Sequence, residues 1–407
     1  MKISRLDNGL TYAVHPMDVS YVSIVASVGL GSLYESKKES AHLLEHLVFE
    51  GTKTRDYREI LDEFDSSTVN NNYNAQTYPD KILFMSFGAK NKADKMMGII
   101  SDIIQNPTFP RDRMDIEKEA VRRELASASD GLTTELVSAM YGKMFRNSDL
   151  DNALRIASDD EIASLTREDI LKEHDYFFRP DNVAVVIYGG INTIKGKGIV
   201  HENFSDFSGR FRGIRKPVIK PTYDTSDEIV KSKMVSGPTL AFGFPIPEYR
   251  SDNREERVAL EVVADLLNKR FMDALRHKNG YVYDVSADTT NYAQFGSLLV
   301  ATECSHENMD RVKEEVSKQI SLMHSGEIDG VELEKILYSS RDEQNVALYT
   351  QPVPAAMTIA SAYIYTKDAK YTKSLDKDLD INIDIVREVS EKYLNPDRMS
   401  KVSLLPK

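Results

Sequence analysis

Lys81-Ile-Leu-Phe-Met-Ser-Phe87 and Gly296-Ser-Leu-Leu-Val-Ala301 are short apolar runs that start 215 positions apart. Each reads as a buried strand, being brief, apolar and bounded by polar or glycine-containing segments. A second pair repeats at nearly the same offset. The helical pattern carrying Ile116-Glu117-Lys118 recurs 217 positions later as Leu333-Glu334-Lys335. Two matching offsets indicate two copies of one α/β unit. Helical patterns alternate with strands in each copy, at Ala41 to Phe49, Tyr57 to Phe64, Asn91 to Gln105, Asp115 to Ser127, Thr134 to Met144 and Thr166 to Tyr176 in the first. Glu255 to Leu275, Asn308 to Met323, Val331 to Val346 and Ile383 to Leu394 do so in the second. Short strand spacings favour hairpins, so the expected class is α+β: two homologous α/β domains, each a mainly antiparallel sheet covered by helices. The expected boundaries are 1–194, a connection at 195–234 rich in Lys, Arg, Gly, Pro and Asp, and 235–407.

The 407 residues carry 52 Lys and Arg against 64 Asp and Glu, a net charge of −12. That balance argues against nucleic-acid binding through bulk positive charge. No apolar run approaches the ~18 to 20 residues a membrane span needs. The start, MKISRLDNGLTYAV, reads as two strands around a turn at Asp7-Asn8-Gly9 and has no leader pattern, so the expected compartment is the cytoplasm. Cys304 is the single cysteine, so any metal must be held by histidines and carboxylates.

Two of the eight histidines stand at helical spacing in Ala41-His42-Leu43-Leu44-Glu45-His46-Leu47-Val48-Phe49-Glu50-Gly51-Thr52. Residues four apart on a helix stack one turn above the other, so His42 and His46 can reach one ion. Neutral imidazoles suit Zn²⁺. Glu45 lies close by and can take a proton from a water beside the metal. The pattern H-x-x-E-H is an inverted form of the H-E-x-x-H zinc-peptidase motif. His15, His174, His201, His306 and His324 lie apart from any ligand spacing.

A catalytic zinc site needs a third protein ligand. Asp115-Ile-Glu117-Lys-Glu119-Ala-Val-Arg-Arg-Glu124 offers candidates. Glu117 and Glu124 are seven apart and share a helix face, which Glu119 does not. One of the pair can ligate while the other orients a histidine.

On these residues the chain resembles the pitrilysin-type inverzincins, the family of mitochondrial processing peptidase, pitrilysin and insulin-degrading enzyme, and most closely its short branch of one domain pair. His42 to Thr52 carries the first part of the likeness. Glu117 to Glu124 carries the second, with 77 residues between His46 and Glu124, a separation close to the family's. By the resemblance Glu124 is the third ligand, Glu117 stands behind a histidine, and one Zn²⁺ is bound per chain. The third part is Asn74-Ala75-Gln76-Thr77, which corresponds to the strand that grips extended substrate. The fourth is Arg276 with Tyr283, an Arg and Tyr seven apart after a helix and a glycine-containing turn, implied to bind substrate backbone and stabilise the oxyanion. The chain departs from the family at Asn152-Ala-Leu-Arg-Ile-Ala-Ser, which lacks an expected glycine, and it has no glycine-rich loop of the noncatalytic processing-peptidase kind.

The resemblance implies a zinc endopeptidase acting on short or unfolded peptides, with Glu45 as general base. In the second copy Glu334 and Arg341 stand at the offsets of Glu117 and Glu124, and no H-x-x-E-H is present. The metal therefore belongs to one copy and the Arg/Tyr pair to the other. A homodimeric chamber with composite sites follows from the family's clamshell arrangement. The alternative is a noncatalytic or partner-dependent subunit of a heterodimeric processing peptidase or structural complex.

Overall fold

The computed structural model describes residues 2–129, 131–213, 216–250, 252–366 and 380–407. The chain forms two compact units. The first comprises Met1–Leu125, Ile156–Lys216 and Val346–Thr372, and the second comprises Ala126–Arg155, Pro217–Asn345 and Lys373–Lys407.

The first unit is built on six strands: β1 (Lys2–Arg5), β2 (Thr11–Pro16), β3 (Tyr21–Val28), β4 (Tyr73–Thr77), β5 (Ile82–Ala89) and β6 (Val183–Gly189). Their order is β1-β2-β6-β3-β5-β4. Only β2 and β6 pair in parallel. The β1–β2 hairpin closes where Asn8 Oδ1 accepts from the Leu10 N–H at 3.1 Å and Gly9 takes φ 98°, a left-handed conformation that glycine adopts without cost.

The second unit has five strands: β7 (Asp227–Ser232), β8 (Thr239–Ile246), β9 (Val282–Asn291), β10 (Gly296–Cys304) and β11 (Ser400–Pro406). Their order is β7-β11-β8-β10-β9, again with one parallel pair, β7 and β11. Without β1, the first sheet has the same succession of pairings: a parallel pair followed by three antiparallel ones. The runs at Lys81 and Gly296 lie in β5 and β10, the fourth members of these matching successions. The two-domain α+β class read from the repeat is the class observed.

Each unit also takes in a helix from elsewhere in the chain. Leu132–Met144 packs on β8 and β11, and Pro352–Thr366 packs on β3, β5 and β6. The latter brings Ala356, Ile359, Ala360 and Tyr363 against Ala13, Val25, Leu83, Met85 and Val186. The other face of the first sheet is covered by the main core, which includes Leu43, Leu44, Leu47, Ile99, Ile103 and Phe178. The compact units are each assembled from three stretches of the chain and are not contiguous in sequence. The stretch from residue 195 is also not all connection. Helix Thr193–Phe204 occupies its start. Gly196 hid it from composition: a β-carbon there would sit 2.7 Å from Val14 Cγ1, so close seating on β2 demands glycine.

His174 is a core residue of the first unit, with Nε2 donating to the Ile104 carbonyl at 2.9 Å and its ring stacked on Phe178. Burial depresses its pKa from 6.5 to about 4. A group lowered in this way favours the fold fully above about pH 6.5, and that contribution is lost as pH falls toward 4. The loss amounts to about 3 kcal/mol at most. Denaturant unfolding of His174→Gln between these pH values is expected to show a shallower acid decline than the wild type.

Candidate metal centre

Helix Ser40–Leu47 is seated by Leu43, Leu44 and Leu47, all fully buried. Each contributes about 2 kcal/mol of apolar burial, so the helix is held firmly in rotation. That rotation turns His42 and His46 to one side, with ring centroids 5.0 Å apart. Helix Arg111–Ser129 meets them through Glu117 and Glu124. Met114, Glu117, Val121 and Glu124 form one stripe on it at alternating spacings of three and four. Met114 and Val121 lie in the core, and their burial aims both glutamates at the histidine pair.

Glu124 Oε2 lies 3.3 Å from His42 Nε2 and 3.4 Å from His46 Nε2. The three donor atoms all lie within 4.8 Å of one another. In a tetrahedral site with bonds of about 2.0 to 2.1 Å, neighbouring ligand atoms stand about 3.3 Å apart. The donor set therefore fits Zn²⁺ in spacing as well as in type. The far sides of both rings are engaged. His42 Nδ1 meets Glu39 Oε2 at 3.1 Å, and His46 Nδ1 meets Glu117 Oε2 at 3.1 Å. A carboxylate on Nδ1 favours the tautomer with the proton there and leaves Nε2 as a lone-pair donor.

Glu117 is itself braced. Arg113, one turn before it, lies 3.6 Å away, donates to Glu50 and stacks 4.6 Å above the Tyr57 ring. The His46 hydrogen bond is the largest influence on Glu117 and lowers its pKa despite burial. Glu124 is lowered too, chiefly by its hydrogen bond to His42. For His42, burial acts downward, but hydrogen bonds to Glu124 and Glu39 and the charge of Glu45 prevail, raising it to about 10. A cation at this point, proton or metal, is what the surrounding carboxylates favour.

Glu45 is 8% exposed, and burial raises its pKa against the pull of Thr77, His42 and His46. The Thr77 hydroxyl donates to Glu45 Oε2 at 2.6 Å. Thr77 ends β4, the edge strand of the first sheet, which among the described residues pairs with β5 alone. The four residues expected to grip substrate differ in their surroundings. Ala75 is buried, Asn74 and Gln76 are exposed, and the Gln76 side chain accepts from the Tyr78 hydroxyl at 2.6 Å.

Arg276 and Tyr283 come together within the second unit. Arg276 lies in a π-helical turn, Met272–Lys278, closed by hydrogen bonds from the Gly280 N–H to Arg276 and from the Tyr281 N–H to Leu275. Gly280 has φ 63°, the left-handed stop typical of glycine. The Arg276 guanidinium carbon lies 4.7 Å from the centroid of the Tyr283 ring, which is 82% exposed at the rim of a cleft of about 590 Å³.

Residues 11–158 match the family model described as insulinase (peptidase family M16), and residues 164–338 match the peptidase M16 inactive domain. The chain belongs to peptidase family M16. A Rickettsia felis protein named "Uncharacterized zinc protease" is 26% identical over 326 residues, spanning 79% of this chain and 77% of its own length. A Bacillus subtilis protein named "Uncharacterized zinc protease YmxG" is 24% identical over 326 residues, with 78% of this chain and 76% of its own length covered. The crystal structure of a protease from Helicobacter pylori superposes with a TM-score of 0.86 at 19% identity, covering 100% and 99% of the two chains. That likeness is one of fold.

Three supporting residues lie outside the sequence motifs in these roles: Glu39, Thr77 as a partner of Glu45, and Arg113. Arg113 had a visible signal, four residues before Glu117. Glu39 sits in the charged run Lys37-Lys38-Glu39 and reads as solvated. Removing the carboxylate behind a metal-binding histidine typically weakens binding 10 to 100-fold. Glu117→Ala is expected to lose about that much zinc affinity in competition with a chromophoric chelator.

Proposed function

We propose that this M16 chain is a zinc-dependent endopeptidase that cleaves short or unfolded peptides. The observation carrying the reading is the approach of Glu124 Oε2 to within 3.3 and 3.4 Å of both imidazole Nε2 atoms, beside the buried Glu45. His42, His46 and Glu124 would hold one zinc ion. A bound zinc ion supplies Lewis acidity, making water acidic enough to attack near neutral pH and polarising the scissile carbonyl. Glu45 accepts the proton of the attacking water and returns it to the departing amine. Its raised proton affinity suits that exchange, and the Thr77 hydroxyl holds the carboxylate in place. Edge strand β4 offers unpaired backbone groups to an extended peptide, the usual mode of strand addition. The Tyr283 hydroxyl would donate a hydrogen bond to the oxyanion, steadied by the Arg276 guanidinium.

The description of residues 164–338 as an inactive domain agrees with this division. In the second copy Glu334 and Arg341 stand at the offsets of the two glutamates, and no H-x-x-E-H is present. Among the described residues no helix is long and apolar enough to cross a membrane.

Elemental analysis of the purified protein should find one zinc per chain. Glu45→Gln should keep that zinc and lose a factor of about 10² to 10⁴ in turnover of a quenched peptide. A metal-free wild type, or a fully active Glu45→Gln, would defeat the reading. We further propose a homodimer in which Arg276 and Tyr283 serve the partner's zinc. Glu45→Gln mixed with Tyr283→Phe should then recover about a quarter of wild-type activity, since half of reassorted dimers carry one intact site each. No recovery after verified exchange of subunits would remove the composite arrangement and leave the zinc site untouched.

A further inference from the structure

Glu39 precedes the motif helix in a left-handed conformation, φ 67° and ψ 8°. Residues with a β-carbon rarely adopt it, and Glu has no local side-chain bond of the Asn or Asp kind to favour it. The usual reason for an acid at this place is helix capping, in which a side-chain oxygen accepts from a free backbone N–H. Glu39 does not do this: its side chain caps no N–H of the helix. The neighbouring Glu35 takes that part, Oε2 accepting from the Ala41 N–H at 3.3 Å.

The Glu39 carboxylate is instead shared between two other partners. Oε2 meets His42 Nδ1 at 3.1 Å, and Oε1 meets Lys38 Nζ at 3.0 Å. Lys38 also reaches Glu35 Oε1 at 3.4 Å, and all three charged side chains are buried. The group is thus held from both sides, with one oxygen committed to the ring. His46 has its equivalent in Glu117, a residue 71 positions away. For His42 the partner comes from the turn just before its own helix.

We propose that Glu39 is a positioning residue for His42, fixing its ring and its Nδ1–H tautomer so that Nε2 faces the cation, and that the left-handed backbone is kept because it delivers the carboxylate to that ring. This rests on the zinc reading above.

Three variants separate this role from a structural one. Glu39→Gly removes the carboxylate and suits the backbone. Glu39→Ala removes the carboxylate and keeps the unfavourable conformation. Glu39→Gln keeps a neutral acceptor. Zinc dissociation constants come from chelator competition, and melting temperatures are taken on the zinc-free proteins. Gly and Ala are expected to bind zinc about equally, each about 10-fold more weakly than wild type. Gln should recover part of the loss. Zinc-free Gly should melt above Ala by about 1 to 3 °C. Affinity then follows the carboxylate while stability follows the backbone. A Gly variant that binds zinc within twofold of wild type overturns the proposal, as does an affinity order that tracks melting temperature. If the wild type itself binds no zinc, the zinc reading fails instead.

Discussion

The site depends on keeping two imidazoles still with their Nε2 lone pairs facing one point. Imidazole rings turn freely about χ2 unless something holds the far nitrogen. Here Glu39 and Glu117 hold one each at 3.1 Å. Apolar packing of Leu43, Leu44 and Leu47 fixes the helix, but it cannot choose a tautomer. That choice is made by the carboxylates, and the approach of Glu124 has meaning only once it is made. Four acidic side chains stand around two histidines, and Lys38 and Arg113 offset the charge of Glu39 and Glu117 in part. The carboxylates that remain favour a cation beside the imidazoles, which the proposed zinc ion would supply.

The duplication explains how the chemistry is divided. The two sheets share a sequence of pairings, so the same framework was available twice. In the first unit, the second α-helix after the sheet's hairpin, Arg111–Ser129, carries the two glutamates on a stripe with Met114 and Val121. In the second, the corresponding helix Gly330–Thr350 has Glu334 and Arg341, and a cation cannot stand beside an arginine in that position. The second unit instead develops a π-helical turn before β9, which carries Arg276 and lies near Tyr283. Insertions of this type displace a side chain from helical register and recur at functional sites.

Regular periodicity governed what could be read without coordinates. Four-residue spacing put His42 and His46 on one face, and seven-residue spacing did the same for Glu117 and Glu124. The repeat announced the second sheet. The meeting of the two motifs is a tertiary fact, and it became legible only through the likeness to a known family. Other features were hidden for identifiable reasons. Helix Thr193–Phe204 contains Gly196 and Gly198, which propensity counts against a helix although packing against Val14 requires the first. Strand β9 alternates buried and exposed residues that include Asp284 and Asp288, poor strand formers by composition. Glu39 lies in a run of charges, and burial of such a run has no signature in sequence.

Helix Pro352–Thr366 gives the first unit a particular history at the ribosome. The sheet face formed by Ala13, Val25, Leu83, Met85, Ala184, Val186 and Tyr188 has as its apolar cover Ala356, Ile359, Ala360 and Tyr363. At bacterial-to-eukaryotic elongation rates, roughly 10 to 30 s separate synthesis of β6 from synthesis of that cover. During this interval the apolar residues that cover this face in the folded unit have not yet been made. The second face of that sheet can be closed by these side chains only after residues 352–366 have been made.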